Sequence, residues 1–400
     1  MPKPRILLFT GKGGVGKTTV AAATAVRAAA SGLRTLVLST DPAHSLADSL
    51  AVELGDAPTE IAEHLSGQQL DARARLEESW GDIRSYLVSI FDWAGAEGLE
   101  AEELSVIPGL DEVFALADIQ SHATSGKWDL LVVDCAPTAE TIRLLSLPDV
   151  LDRYMQRVFP AQRALTRAAR PVLRRLTDMP IASDTVFAAT HRFYDRLEGV
   201  RELLTDGERT SARIVVNPER MVVAEARRTF TYLSLFGYHV DAVIANRLLP
   251  DAVSDPWFEE WKRVHKEQLA VIEESFAPVP VLPAPLLADE PVGVERLAEL
   301  GALVYGDAVG AERLHADQTL RIHQRGESVF MDLALPCVER DDVDLARVNG
   351  ELLVTVGPYR RSVALPDSLH HRSVAGARLI DGRLEVEFAA GASPSGARRS

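Results

Sequence analysis

Two lysines and a threonine hydroxyl lie within Gly11-Lys12-Gly13-Gly14-Val15-Gly16-Lys17-Thr18-Thr19, and their spacing suits the binding of a polyphosphate. Glycines let consecutive backbone N–H groups converge on one concavity, because a residue without Cβ adopts positive φ at little cost. Such a concavity is an anion nest, and a helix starting near Lys17 adds the positive end of its dipole. In a G-x-x-x-x-G-K-[ST] loop, Lys17 reaches the β and γ phosphates and the Thr18 hydroxyl holds Mg²⁺. Lys12 is surplus to that scheme. It cannot easily share the phosphates that Lys17 holds; it reads either as a lysine that could reach a second subunit's nucleotide across a face-to-face dimer or as a solvated side chain.

Two carboxylates extend the set. Asp41 lies in Ser39-Thr40-Asp41-Pro42-Ala43-His44-Ser45, at the end of an apolar run. Beside a γ phosphate it would orient or deprotonate the attacking water; otherwise it would cap the next helix. Asp134 ends a second apolar run and begins Asp134-Cys135-Ala136-Pro137-Thr138-Ala139-Glu140-Thr141-Ile142-Arg143-Leu144-Leu145. Its position suits a Mg²⁺ contact through water, and the loop after it suits sensing of the γ phosphate. Cys135 reads as a packed strand-end residue rather than a redox centre.

These groups converge only if a scaffold brings strand ends together. Apolar runs over residues 5–10, 35–40, 130–134, 212–217, 240–246 and 279–282 alternate with helical stretches, including the Ala-rich segment 20–30. That alternation predicts an α/β fold with a mostly parallel sheet covered on both faces. Ligands in such sheets sit at the carboxyl ends of the strands, where each motif falls.

Two inserts are expected to be mostly helical, over residues 60–127 and 149–206. The first is acidic in its middle, with Glu97, Glu100, Glu102, Glu103, Asp111 and Glu112. The second carries Arg163, Arg167, Arg170 and Arg174 at helical spacing. That stripe reads either as a solvated helix packed beside the acidic insert or as an amphipathic surface for a client or a membrane. After residue 310 the pattern changes to short strands at 328–335, 351–356 and 383–388, with turn signals at Asn349-Gly350 and Asp381-Gly382. The expected organisation is residues 1–310 as the α/β unit, 318–390 as an all-β sandwich and 391–400 as a disordered tail.

Composition narrows the function classes. The 400 residues include 58 acidic and 43 basic side chains, a net charge of -15 that argues against nonspecific nucleic-acid binding. No signal-peptide pattern follows Met1 and no uncharged stretch has membrane-span length, so a cytoplasmic protein is expected. Cys135 and Cys337 are far apart, and nothing has zinc or iron–sulfur spacing.

The loop, the Asp-Pro-Ala-His segment at 41–44, the 134–145 segment and Leu287-Ala288-Asp289-Glu290-Pro291-Val292-Gly293 together resemble the arsenite-pump (ArsA) ATPase family. That family has a deviant P-loop and includes the ATPases that target tail-anchored membrane proteins. The resemblance covers about residues 4–305. It implies a P-loop NTPase fold and Mg²⁺-dependent ATP hydrolysis by a homodimer, with Lys12 acting on the partner's phosphates. It also implies Asp41 as the water-activating group, Asp134 serving Mg²⁺, and Asn217 and Asn246 near adenine; either asparagine could instead cap a strand-end turn. Residues 349–352, 364–369 and 377–384 resemble an α-crystallin-type, small heat-shock sandwich, implying a chaperone contact, a strand pairing or an intramolecular brace.

The departures matter. The family's second loop usually reads P-T-G-H-T, whereas Ala139 and Glu140 stand here, which restricts the backbone and adds negative charge at the switch. The zinc-binding CxxC of the targeting branch and the metalloid-binding cysteines of the arsenite branch are missing. The expectation is an ATPase that drives a conformational switch for a protein client or membrane-protein partner. Two alternatives stand: an arsenite-efflux energiser, and a nucleotide-gated scaffold with little turnover.

Overall fold

The computed structural model describes residues 3–40, 45–70, 85, 110–134, 184–348 and 350–389. The first unit contains strands β1 (Arg5–Thr10), β2 (Thr35–Ser39), β3 (Thr59–Ala62), β4 (Leu65–Gln69), β5 (Leu130–Asp134), β6 (Thr210–Val216), β7 (Val240–Leu248) and β8 (Val281–Pro285). They form one sheet in the order β3-β4-β2-β5-β1-β6-β7-β8, parallel except for the β3–β4 edge. Central strands are buried along nearly their whole length, as continuous apolar runs require when helices cover both faces.

The helices are α1 (Lys17–Ala30), α2 (Ser45–Leu50), α3 (Leu110–Thr124), α4 (Asp184–Thr205), α5 (Arg220–Leu235), α6 (Glu259–Phe276) and α7 (Val294–Tyr305). Alanines at 21–23, 25, 28 and 29 bury α1 between the sheet and α7. The chain leaves β1 towards β2 and leaves the neighbouring β5 towards β6 on the other side. That reversal opens a crevice at the carboxyl ends of β1 and β5, and the glycine loop follows β1 there.

Two strands stand at the start of the first insert, whose expected range is residues 60–127. β4 pairs in parallel with β2 from Thr35↔Leu65 to Ser39↔Gln69, and β3 closes the edge in antiparallel fashion. Leu-Ser-Gly-Gln-Gln has little strand propensity, but the open edge of β2 offers a full ladder of partners. The described helical parts of the inserts are α3 and α4. The arginine stripe at 163–174 lies outside the described residues.

The C-terminal unit has β9 (Leu320–Arg325), β10 (Ser328–Ala334), β11 (Val343–Val348), β12 (Glu351–Val356), β13 (Tyr359–Ala364), β14 (Val374–Ile380), β15 (Arg383–Phe388) and the short α8 (Asp367–His370). One antiparallel sheet runs β14-β15-β10-β9 and another runs β11-β12-β13. Met331, Leu333, Leu352, Val354, Val386 and Phe388 are fully buried between them, a sandwich core. Asp381 and Gly382 both adopt positive φ, 47° and 70°, in the tight β14–β15 hairpin.

This unit is braced against the first. Tyr359 packs against Tyr232 with the rings tilted and 4.0 Å between centroids, Arg361 donates to the Leu235 carbonyl, and Thr231 Oγ1 donates to the Pro336 carbonyl at 2.6 Å. The Cys337 thiol donates to the Ser275 carbonyl at 3.3 Å. A junction cavity of about 240 Å³ lies between the units, with His239 and His315 stacked in its wall. Burial pushes the His239 imidazole below its ordinary value of 6.5, although its hydrogen bond to the His315 carbonyl, at 2.6 Å, acts the other way.

The unfolded chain therefore binds that proton more readily than the folded one. Stability is expected to fall, by up to about 1.4 kcal/mol per pH unit, as pH drops below 6.5 towards the lower folded value. Denaturant titrations at pH 7.5, 6.5 and 5.5 read the slope. His239→Gln should flatten it, and an unchanged slope in that variant would remove His239 from the account.

Candidate functional site

The glycine loop is built by its neighbours. Gly11 has φ 147°, and a Cβ there would sit 2.2 Å from the Val215 carbonyl oxygen on β6. Gly16 caps α1 with φ 90°, and a Cβ there would sit 2.5 Å from Asn246 Nδ2. Asn246, inside β7, donates that nitrogen to the Val15 carbonyl at 2.8 Å. The loop is thus fixed between β6 and β7, and α1 begins at Lys17 with its first N–H groups beyond the reach of intrahelical acceptors.

Lys17 Nζ donates to the Lys12 carbonyl at 3.2 Å, folding back over its own loop. Thr18 and Thr19 are half-buried on the first turn. Lys12 points elsewhere: its Nζ lies 3.6 Å from Glu225 Oε2 on α5, with both side chains about two-fifths exposed. Glu225 carried no signal in the sequence, since only the fold brings α5 beside the loop.

Asp134 ends β5, buried, opposite Phe9 on β1 and Ser39 on β2. The Ser39 hydroxyl lies 3.5 Å from Asp134 Oδ2, and Thr40 N–H donates to the Asp134 carbonyl. This places the carboxylate one strand from the loop, at the same sheet end. Asp41 and the Pro137–Thr141 switch lie outside the described residues, although Thr40 is buried directly before the former.

Asn217 follows β6 and is buried, and its Oδ1 has no hydrogen-bond partner. An orphaned buried acceptor is costly unless a ligand completes it. A pocket of about 330 Å³ adjoins Gly16 and Thr19, lined by Asn246, Arg247, Pro285, Leu286, Leu287 and Leu300 among others. The structure therefore separates the two asparagines: Asn217 offers a free acceptor, whereas the Asn246 amide nitrogen is spent on the loop. Arg247, near the end of β7, and Pro285 and Leu286, at and just past the end of β8, carried no motif, whereas Leu287 opens the late segment that did.

His323, Asp332 and Glu385 also gather on three adjacent strands of the C-terminal sheet. Glu385 pairs with Arg325 at 3.1 Å and Arg378 at 2.8 Å, so two guanidiniums already balance its charge. The group reads as an ion-pair network. Among the described residues, no helix is long and apolar enough to cross a membrane.

Comparison with known proteins agrees with this geometry. A profile of the Anion-transporting ATPase family matches residues 4–306, and one of the HSP20-like domain found in ArsA matches residues 326–388. The chain is 38% identical over 377 residues to the putative arsenical pump-driving ATPase 1 of Aquifex aeolicus, covering 92% of this chain and 95% of that one. It is 37% identical to the putative arsenical pump-driving ATPase of Prosthecochloris vibrioformis, over 96% of both chains. It is 32% identical to the ATPase GET3B of Arabidopsis thaliana, over 76% of this chain and 79% of that protein.

Proposed function

The chain belongs to the anion-transporting ATPase family, and from that premise we propose that it hydrolyses ATP with Mg²⁺ as a cytoplasmic homodimer, using turnover to reset a switch for a protein client. The observation that carries this reading is the loop itself. Three of its glycines hold positive φ, it is buttressed from β6 and β7, and it opens onto unpaired N–H groups at the switch point of the sheet.

The chemistry follows from placement. The N–H groups of residues 13–19 hold the phosphate tail, and Lys17 exchanges the Lys12 carbonyl for phosphate oxygen. Mg²⁺, when bound, neutralises phosphate charge and is held by the Thr18 hydroxyl and, through water, by Asp134. Asn217 Oδ1 accepts from the adenine amino group, which satisfies the orphaned acceptor. Asn246 acts through the loop that it fixes. Asp41 orients the attacking water. Lys12 leaves Glu225 and neutralises charge on the partner's nucleotide.

Subunit mixing tests both assignments at once. Lys12→Ala and Asp41→Asn homodimers should each be nearly inactive. In an equal mixture, each heterodimer has one site with its own Asp41 and the partner's Lys12. Turnover should therefore recover to roughly a quarter of wild type in a symmetric, freely exchanging dimer. No recovery would place Lys12 in its own subunit's site, and full activity of Asp41→Asn alone would remove Asp41 from catalysis.

The printed names of the bacterial relatives favour a second reading, a pump-driving ATPase. With Cys135 and Cys337 as the chain's two cysteines, arsenite would have to bind without a three-thiol set. Arsenite-stimulated turnover would establish that reading over client handling.

A further inference from the structure

Three adjacent strands end in polar side chains on one row of the sheet. β4 ends in Gln69, β2 in Ser39 and β5 in Asp134, and the register pairs Ser39 with both of the others. Residues in register share a face of the sheet. All three are buried, with exposures of 5%, 0% and 3%, at the end of the sheet where the glycine loop follows β1. The residues that precede Ser39 and Asp134, Leu36–Leu38 and Leu130–Val133, are apolar and fully buried. A polar group is costly in such strands unless something at their ends needs it.

The main chain of this row is already engaged. Thr40 N–H donates to the Asp134 carbonyl at 3.3 Å, and Leu70 N–H donates to the Ser39 carbonyl at 2.9 Å. What chemistry the row has therefore lies in its side chains. The Ser39 hydroxyl donates towards Asp134 Oδ2 across 3.5 Å. An O–H···O bond is ordinarily about 2.7–2.8 Å long, and long contacts of this kind tighten when a site closes on its ligand. Serine has one proton to give, and a carboxylate has two oxygens to receive it. A Ser39 proton on Oδ2 fixes the rotation of the carboxylate and leaves Oδ1 for another donor.

We propose that Ser39 is the positioning residue for Asp134, holding one carboxylate oxygen so that the other meets water in the Mg²⁺ shell. The inference rests on the assignment of Asp134 to Mg²⁺ given above. The donor set fits that ion, since a carboxylate and the Thr18 hydroxyl are hard oxygens and Mg²⁺ keeps several of its waters. Partners behind a metal site set how its ligands are oriented, and losing one weakens metal binding by roughly 10–100-fold. Ser39 also stands two residues before Asp41, so it joins the Asp134 carboxylate to the segment assigned to the attacking water.

Mn²⁺ serves as the probe, because electron paramagnetic resonance reads the free ion directly. Titrating the full-length chain with Mn²⁺ in the presence of a non-hydrolysable ATP analogue gives the metal dissociation constant without turnover. Calorimetry with the same analogue in EDTA gives the metal-free affinity. Ser39→Ala should weaken Mn²⁺ binding by about tenfold and leave the metal-free affinity unchanged. Ser39→Cys keeps the volume but is a weak donor, so it should lose Mn²⁺ affinity in the same way. Asp134→Asn should lose more, and adding Ser39→Ala to it should cost nothing further, because the hydroxyl acts only through that carboxylate. Wild-type Mn²⁺ affinity in either Ser39 variant, or a Ser39→Ala loss that adds fully to that of Asp134→Asn, overturns the proposal. An equal loss of metal-free affinity in both Ser39 variants also overturns it, since the residue then serves packing. Wild-type Mn²⁺ affinity in Asp134→Asn overturns the Asp134 reading, and the role of Ser39 with it.

Discussion

Gly11→Ala is expected to weaken ATP binding at least about 100-fold in calorimetry with Mg²⁺, a loss of about 2.7 kcal/mol. The reason is local and steric. The new Cβ would lie 2.2 Å from the Val215 carbonyl oxygen, about 1 Å closer than packed atoms tolerate. Backbone on backbone cannot relax by rotating a side chain. Val215 is held in the β1–β6 ladder, with Thr10 opposite Ile214, so the loop must yield instead. A shift of that size turns several N–H groups away from the phosphates, and hydrogen bonds weaken steeply with misalignment. Gly13 provides the contrast: a Cβ there meets nothing within 4 Å, so Gly13→Ala should cost much less affinity. Circular dichroism would check that the sheet survives in both. Wild-type affinity in Gly11→Ala would mean that the loop's conformation is not what holds the nucleotide.

The sheet was legible because its strands are long apolar runs. Buried residues such as Ile6–Phe9 and Leu130–Val133 cannot sit anywhere else. The phosphate loop was legible because its residues are consecutive, so their geometry is fixed by local chain chemistry. What stayed hidden depends on contacts between distant segments. β4 is a strand because the edge of β2 is open, not because Leu-Ser-Gly-Gln-Gln prefers to be one. Asn217 and Asn246 look alike in sequence, each near the end of an apolar run. Only the register of β7 against the loop shows that Asn246 supports Val15. Glu225 beside Lys12 is a meeting across 213 positions that no spacing rule anticipates.

α5 joins the two halves of the molecule. Its 16 residues span about 24 Å. Glu225 lies beside Lys12 of the glycine loop, while Tyr232 packs against the β sandwich. A change at Lys12 therefore acts on one end of a rod whose other end grips the C-terminal unit. Whether that unit follows depends on how firmly the linker is tied, and a buried arginine ties it.

Arg213→Met is expected to destabilise that tie by about 3–5 kcal/mol. Arg213 is fully buried on β6 and pairs with the equally buried Asp241 at 3.1 Å. Its remaining donors reach the Tyr305 hydroxyl at 3.1 Å and the carbonyls of Gly310 and Glu312 at 2.6 and 2.9 Å. One guanidinium thus fastens α7, the linker and two strands. Methionine fills much of the volume but leaves Asp241 with Arg5 as its ion-pair partner among the described residues, and strands the buried Gly310 carbonyl and the part-buried Glu312 carbonyl. Amide hydrogen exchange over residues 306–317 should accelerate by about two to three and a half orders of magnitude, tenfold per 1.4 kcal/mol. Arg213→Met/Asp241→Leu should regain none of the loss, because it also takes away the carboxylate that Arg5 pairs with and leaves that guanidinium uncompensated. ATP affinity should change much less than linker exchange in both, since the groups that Arg213 holds are Asp241 near the start of β7 and the linker after α7. If exchange in the linker stays at the wild-type rate, the C-terminal unit is held by its contacts with α5 and α6, and the rod rather than the strap sets how the two units move.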